Sequence, residues 1–268
     1  AGNLLLVLKL LSFRFAAAVP QMNVNDRLFN WLLIFALVRK RRWSVAILRE
    51  ALASSPRVGK RHKVDYNIEI ACSITGVPTP NFPTPVWTSR PPKSIKAPKI
   101  ALAPGSGEVE AFKRWPASDY AELSRKIVNQ FPDAEIRIYG TAQEADLCKE
   151  IEEKSSGSAI FAGKISVGAL YNSLKTTDIS ISSCNGASHV AAHAGAAVIV
   201  INGPSNLAFT GAYASHRVEV TNNLQCSPCY RPDFITGCGN PVCMTDVAVD
   251  SVVQAVRRIL HDGLIIKA

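Results

Sequence analysis

The chain has 268 residues, 47% of them apolar and 19% charged, with 30 Lys and Arg against 21 Asp and Glu for a formal net charge of +9. That composition holds enough apolar material to offset the ordering entropy of a core, which excludes a disordered tail, a collagen-like repeat and a small disulfide scaffold. The length accommodates one large domain or two small ones.

The charge is unevenly placed: residues 1–95 carry 14 basic and 4 acidic side chains, and residues 96–268 carry 16 and 17. A basic segment on a neutral body reads either as attraction to an acidic partner or as a solvated basic face. The chain opens on an apolar run, Leu4 to Leu8, that Lys9 and Arg14 interrupt, and Trp31 to Val38 is eight residues long. Neither reaches the ~18–20 residues of a spanning helix, and residues 4–19 lack the preceding positive charge of a signal peptide. The basic cluster Arg39-Lys40-Arg41-Arg42 follows, then a strand expected at Ser44 to Leu48. Next comes a segment punctuated by Pro78, Pro80, Pro83, Pro85, Pro91, Pro92 and Pro98, which suits a stiff extended connector. A domain boundary is expected there, dividing the chain into 1–95 and 96–268.

Beyond it, short β-branched runs alternate with helical stretches. Strands are expected at Lys99–Ala103, Glu135–Tyr139, Ser158–Ala162, Asp178–Ser182, Ala197–Asn202 and Arg217–Thr221, with helices beginning near Ser118, Ala142, Ser166 and Ala187. Strand, helix, strand at this spacing predicts an α/β fold with a doubly wound parallel sheet covered on both faces. Ligands of such sheets bind beyond the carboxyl ends of the strands, which directs attention to the turns there. Those turns are Pro104-Gly105-Ser106-Gly107 with Lys113-Arg114-Trp115-Pro116 after it, Gly140 to Glu144, Ser183 to His189, and Asn202 to Ser205. Small residues let backbone N–H groups approach an anion, and a helix N-terminus at Gly186 adds about half a positive charge. Each glycine turn taken singly also reads as ordinary strand-to-helix punctuation. Glu144 likewise reads as a charge complementing a helix dipole, and His189 as a helix-start histidine packed locally.

Seven cysteines are too few and too uneven for a secreted framework, since Cys226, Cys229, Cys238 and Cys243 fall close together. A reducing, cytoplasmic setting is expected. Their Cys-x2-Cys-x8-Cys-x4-Cys spacing offers the ligand count of tetrahedral zinc, although reduced thiols with no metal are the default reading. Cys72 and Cys148 read as small apolar residues.

Taken together, the turns resemble glycosyltransferase family 9, the ADP-heptose lipopolysaccharide heptosyltransferases. The resemblance rests on the ordered set Pro104 to Pro116 (Pro-Gly-Ser, then Lys-x-Trp-Pro), Gly140 with Glu144, Gly186 to Ala192, Gly203 to Ser205, and the Cys-x-Pro-Cys segment with Met244 and a terminal helix. It implies a GT-B-like fold, with a C-terminal Rossmann-like domain holding the nucleotide sugar and a reduced N-terminal α/β domain on the acceptor side. It also implies inverting transfer of a heptose-type sugar from an ADP-sugar to the phosphorylated lipopolysaccharide inner core, at the inner membrane surface and without a metal or cofactor; a nucleic-acid partner ranks last, since no helix-turn-helix, zinc-finger or aromatic stacking pattern accompanies the basic segment. For matching positions it implies Ser106 and Gly107 at the donor phosphates, Lys113 neutralising the leaving diphosphate, Glu144 on the ribose and Ile165 beside the adenine. Asn185, Gly186 and His189 would grip the diphosphate and sugar.

Three departures accompany the match. Phe15 stands at the family's general-base aspartate, and Cys184 stands at the aspartate preceding the diphosphate segment. The N-terminal domain is also shorter than the family's. The alternative function is therefore a catalytically impaired nucleotide-sugar-binding homologue; Asp26 or Asp65 would serve as substitute base in an active one.

Overall fold

Isoleucine, valine and alanine runs bounded by glycine and serine build a six-stranded sheet, seen in a computed structural model. It describes residues 96–155, 158–160, 165–214, 217–229 and 238–262, together with 62–65, 68, 72 and 78. The chain divides into two compact units, Ala1–Asn81 and Phe82–Ala268. In the first, residues 63–65 are helical and Cys72 is buried. Phe15, Asp26, Arg39 to Arg42, the strand expected at Ser44 to Leu48 and most of the Pro-rich segment lie outside the described residues.

The strands of the second unit are β1 (Lys99–Ala103), β2 (Glu135–Ile138), β3 (Ser158–Ile160), β4 (Ile179–Ser183), β5 (Ala197–Ile201) and β6 (Arg217–Val220). All neighbours pair in parallel, in the spatial order β3-β2-β1-β4-β5-β6. Helices α1 (Ala117–Gln130), α2 (Ala145–Lys154), α3 (Val167–Leu174) and α4 (Gly186–Ala194) connect the first five strands. Two short helices, α5 (Leu207–Thr210) and α6 (Val242–Thr245), precede the terminal α7 (Val249–Asp262). The six strands expected beyond residue 95 are all present, each ending within a residue or two of its expected boundary.

The two faces of the sheet carry different side chains because a strand alternates with period two. On one face Ile100, Leu102, Ile136, Ile138, Ile179 and Ile181 form a large-residue core with α1, α2 and α7. Trp115, 1% exposed, seals this core: its indole Nε1 donates to Val247 O at 3.0 Å and its ring meets Tyr120 edge-on at 4.9 Å. The opposite face is small, with Ala101, Ser180, Ser182, Val198 and Val200. Small residues there let the alanine-rich α4 pack closely, through Ala191, Ala192 and Ala194. Glycine closes α4: Gly195 has φ 85°, the left-handed conformation that terminates a helix without a Cβ penalty.

Asp178 ties the N-terminal edges of the central strands, accepting from Lys99 N at 2.8 Å through its carboxylate while its carbonyl accepts from Ala197 N. The strand order reverses between β1 and β4, where connections leave the sheet in opposite directions. An open parallel sheet forms its crevice there, above the carboxyl ends of the strands.

Candidate functional site

A cleft of about 740 Å³ opens at this switch point. The loop after β1 supplies Gly105, Ser106 and Gly107, the segment after β2 supplies Gly140, Thr141 and Glu144, and the turn after β4 supplies Asn185 and Gly186. Ile165, Val167, Leu170 and Val190 form an apolar wall on the α3–α4 side. Of the positions singled out in the sequence, Ser106, Gly107, Glu144, Ile165, Asn185 and Gly186 thus share one cavity. Lys113, Cys184 and His189 are not part of its lining.

Asn185 locks the loops after β1 and β4 together. Its side-chain Oδ1 accepts from Ser188 N at 3.1 Å, capping α4, while its Nδ2 donates to Ala103 O at 3.1 Å and Gly105 O at 2.8 Å. Asparagine is suited to this because one amide carries an acceptor and two donors. The cap fixes the start of α4, whose first backbone N–H groups have no intrahelical partner and carry the positive end of the helix dipole. Gly186 stands at that start, and a Cβ placed on it would meet nothing within 4 Å among the described residues. The same holds for Gly107, whose φ of −49° any residue adopts. Neither glycine is required by backbone conformation or by a described neighbour. Both line the cleft.

Gly105 is different. A Cβ there would lie 2.1 Å from Glu144 Cδ and Oε1 and 2.4 Å from Oε2. Glu144 sits over this glycine while its Oε2 accepts from Thr141 N at 2.8 Å and from Thr141 Oγ1 at 3.0 Å. Thr141 and Glu144 form a reciprocal capping box for the 3₁₀ turn Ala142–Glu144, which runs into α2. The helix expected near Ala142 therefore begins as this turn, and its carboxylate is held at the rim of the cleft. Cys148 packs beneath, 2.8 Å from where a Gly140 Cβ would be. Burial, with Glu144 nearby, pushes the Cys148 thiol up to about 12.

Ser106 is buried and its hydroxyl is committed inward, donating to Glu110 O at 2.8 Å and accepting from Arg114 Nε at 3.3 Å. Lys113, 5% exposed, ends the 3₁₀ segment Glu108–Lys113 with its Nζ 2.8 Å from Glu110 Oε1. Cys184 turns toward α5, its thiol donating to Thr210 O at 3.7 Å. His189 lies half-buried in the first turns of α4. Arg217, pushed down by burial against the opposing influence of Glu219 and Cys184, donates to Ala212 O at 2.9 Å.

The late cysteines approach one another around the turn after β5. Ser227, between Cys226 and Cys229, donates to Gly203 O, and a Cβ on Gly203 would lie 2.4 Å from Cys243 Sγ. Burial first, then the neighbouring thiols, pushes Cys229 and Cys243 up. Among the described residues, no group of three or more His, Cys, Asp or Glu side chains is placed to hold a metal ion. No helix of the described residues is long and apolar enough to cross a membrane.

A parallel sheet whose switch-point cleft joins two glycine loops, a capped helix N-terminus and an apolar wall defines a doubly wound α/β domain. The model of glycosyltransferase family 9 (heptosyltransferase) matches residues 35–237, and the chain belongs to that family. Among solved structures, the chain is similar to E. coli ADP-heptose lipopolysaccharide heptosyltransferase II, with 16% identity, a TM-score of 0.53 and coverage of 87% of this chain and 61% of that one. It is similar to a family 9 glycosyl transferase from Veillonella parvula, with 17% identity, a TM-score of 0.59 and coverage of 76% and 61%. It is also similar to the E. coli heptosyltransferase WaaC with ADP, with 16% identity, a TM-score of 0.55 and coverage of 79% and 62%. These likenesses show an α/β, GT-B-like fold. The chain spans 61% or 62% of the length of each of these structures. A comparison with curated proteins found no match.

Proposed function

We propose that the chain is a heptosyl-transferring glycosyltransferase whose residues 96–268 hold an ADP-sugar donor in the switch-point cleft, with residues 1–95 on the acceptor side. The observation that carries this reading is the pair Gly107 and Gly186. Both are open to the cleft and neither is needed by the described fold, which is the signature of a backbone kept bare so that a ligand's phosphates can approach.

In this reading the N–H groups of Gly107 and of the α4 start meet the donor diphosphate. Fixed donors and a helix terminus stabilise the negative charge that develops on a departing nucleoside diphosphate. Ser106 contributes through its main chain, and Lys113 adds positive charge from the 3₁₀ segment that follows. The Glu144 carboxylate, steadied by Thr141, takes the ribose hydroxyls, while Ile165 and the apolar wall cover the adenine. His189 lies one turn along α4 from the diphosphate and serves the sugar end. The acceptor is the phosphorylated inner core of lipopolysaccharide at the cytoplasmic face of the inner membrane, drawn by the basic N-terminal segment, and displacement inverts the anomeric centre.

A second reading, donor binding without turnover, is favoured by one observation at the site. At the position where the family carries an aspartate, the Cys184 thiol donates to Thr210 O and offers a sugar hydroxyl no carboxylate acceptor. Calorimetry with ADP paired with a sugar-transfer assay separates the two. Binding with ADP release and transfer supports the enzyme, binding without either supports the binding protein, and no binding refutes both.

A further inference from the structure

The segment Lys113-Arg114-Trp115-Pro116 carries one side chain to which the functional reading gives no task. Arg114 stands on backbone fixed from both sides. Its N–H donates to Ala111 O at 2.9 Å, Lys113 before it pairs with Glu110, and Trp115 after it is pinned to Val247. From that anchorage its guanidinium reaches back eight residues. Nη2 donates to Ser106 O at 2.7 Å, and Nε donates to Ser106 Oγ at 3.3 Å. A planar guanidinium can meet the carbonyl and the hydroxyl of one residue together, whereas a lysine ammonium is a single point charge. Asn185 holds the same loop from the other side, through Gly105 O. The main chain of Gly105 and Ser106 is thus gripped at two consecutive carbonyls, immediately before the bare Gly107.

We propose that Arg114 is the positioning residue of the donor loop, holding Ser106 so that the Gly105–Gly107 backbone is preset against the cleft. The proposal rests on the functional reading above for the ligand, but not for the loop itself. It also assigns the Ser106 hydroxyl a secondary place. The shorter of the two Arg114 bonds goes to the main-chain carbonyl, which survives removal of the hydroxyl.

Amide hydrogen exchange of the ligand-free chain and calorimetry with ADP test this on Arg114→Ala, Arg114→Lys and Ser106→Ala. For Arg114→Ala we expect the amide of Glu110, whose bond to Gly107 O reports the loop, to exchange about tenfold faster while those of β1 and β4 are unchanged, and the Kd for ADP to rise about tenfold. Arg114→Lys should fall between Arg114→Ala and the native chain in both readouts. Ser106→Ala should change either by less than about threefold. Native loop exchange and native ADP affinity in Arg114→Ala would overturn the proposal, as would a Ser106→Ala defect equal to that of Arg114→Ala. Should Arg114→Ala lose its cooperative melt, Arg114→Lys decides by the same two readouts. If the native chain binds no ADP, the donor reading fails, and loop exchange alone decides the role of Arg114.

Discussion

Replacing Gly105 with alanine tests how the rim of the cleft is built. The new Cβ would fall 2.1 Å from Glu144 Cδ and Oε1, far inside contact distance, so one group must move. The β1 loop is held by Asn185 and Arg114, whereas the Glu144 side chain is partly exposed and free to rotate outward. Rotation gives up the bonds from Thr141 N and Oγ1, the side-chain half of the capping box. A lost cap costs about 0.5–2 kcal/mol, and the exposed carboxylate regains water, so we expect Gly105→Ala to destabilise the chain by about 1–2 kcal/mol. Urea unfolding should show this as a lower midpoint at unchanged slope. The decisive comparison is a double-mutant cycle with Glu144→Ala, in which the added methyl has no carboxylate to displace and should cost less than about 0.5 kcal/mol. If Gly105→Ala costs the same in both backgrounds, the glycine is not there to house Glu144 and the reasoning fails.

Gly186→Ala should act in the opposite sense on stability: a first-turn helix glycine with open space around it gains about 0.5–1 kcal/mol on substitution, while ADP binding weakens about tenfold because the methyl meets the phosphates. A thermal melt and calorimetry on one sample check both halves. Asn185→Ala removes a helix cap and two loop hydrogen bonds, for a loss of about 2–3 kcal/mol in urea unfolding. Burial raises the Cys148 thiol from 9.0 to about 12, so the folded chain holds this proton where the unfolded chain has released it. The contribution is whole below pH 9 and is lost as pH climbs from about 9 toward 12. Urea midpoints at pH 8 and 10.5 should therefore differ less in Cys148→Ala than in the native chain.

The strands were legible because apolar β-branched runs stop at glycine, serine or asparagine, and their alternation with helical stretches dictates a parallel sheet. The shared cleft was legible for a related reason: doubly wound topology brings the ends of β1, β2 and β4 together, so Gly107, Glu144 and Gly186 converge although far apart in the chain. The capping box was readable too, since Thr141 and Glu144 have the Thr-x-x-Glu spacing, yet Glu144 drew attention only as a ribose ligand or dipole charge. Lys113 has an acidic residue at the i,i−3 position, Glu110, which spacing alone would have offered as its partner. Arg114 left no such trace. Its reach to Ser106 depends on the turn of a 3₁₀ segment, and periodicity carries no information about that path. The cysteine spacing offered a tetrahedral ligand count beside the default of reduced thiols with no metal. The chain does bring Cys229 and Cys243 near the others, but how closely thiols approach depends on loop geometry that spacing leaves open.

The claim beneath all of this is that a nucleoside diphosphate occupies the cleft above β1 and β4. Backbone amide shifts in an ADP titration test it most directly. We expect the largest changes at Gly105–Gly107, Thr141–Glu144 and Gly186–Ser188, with α7 and β6 silent. Saturating changes confined to other parts of the chain, or none at millimolar ADP, would contradict it.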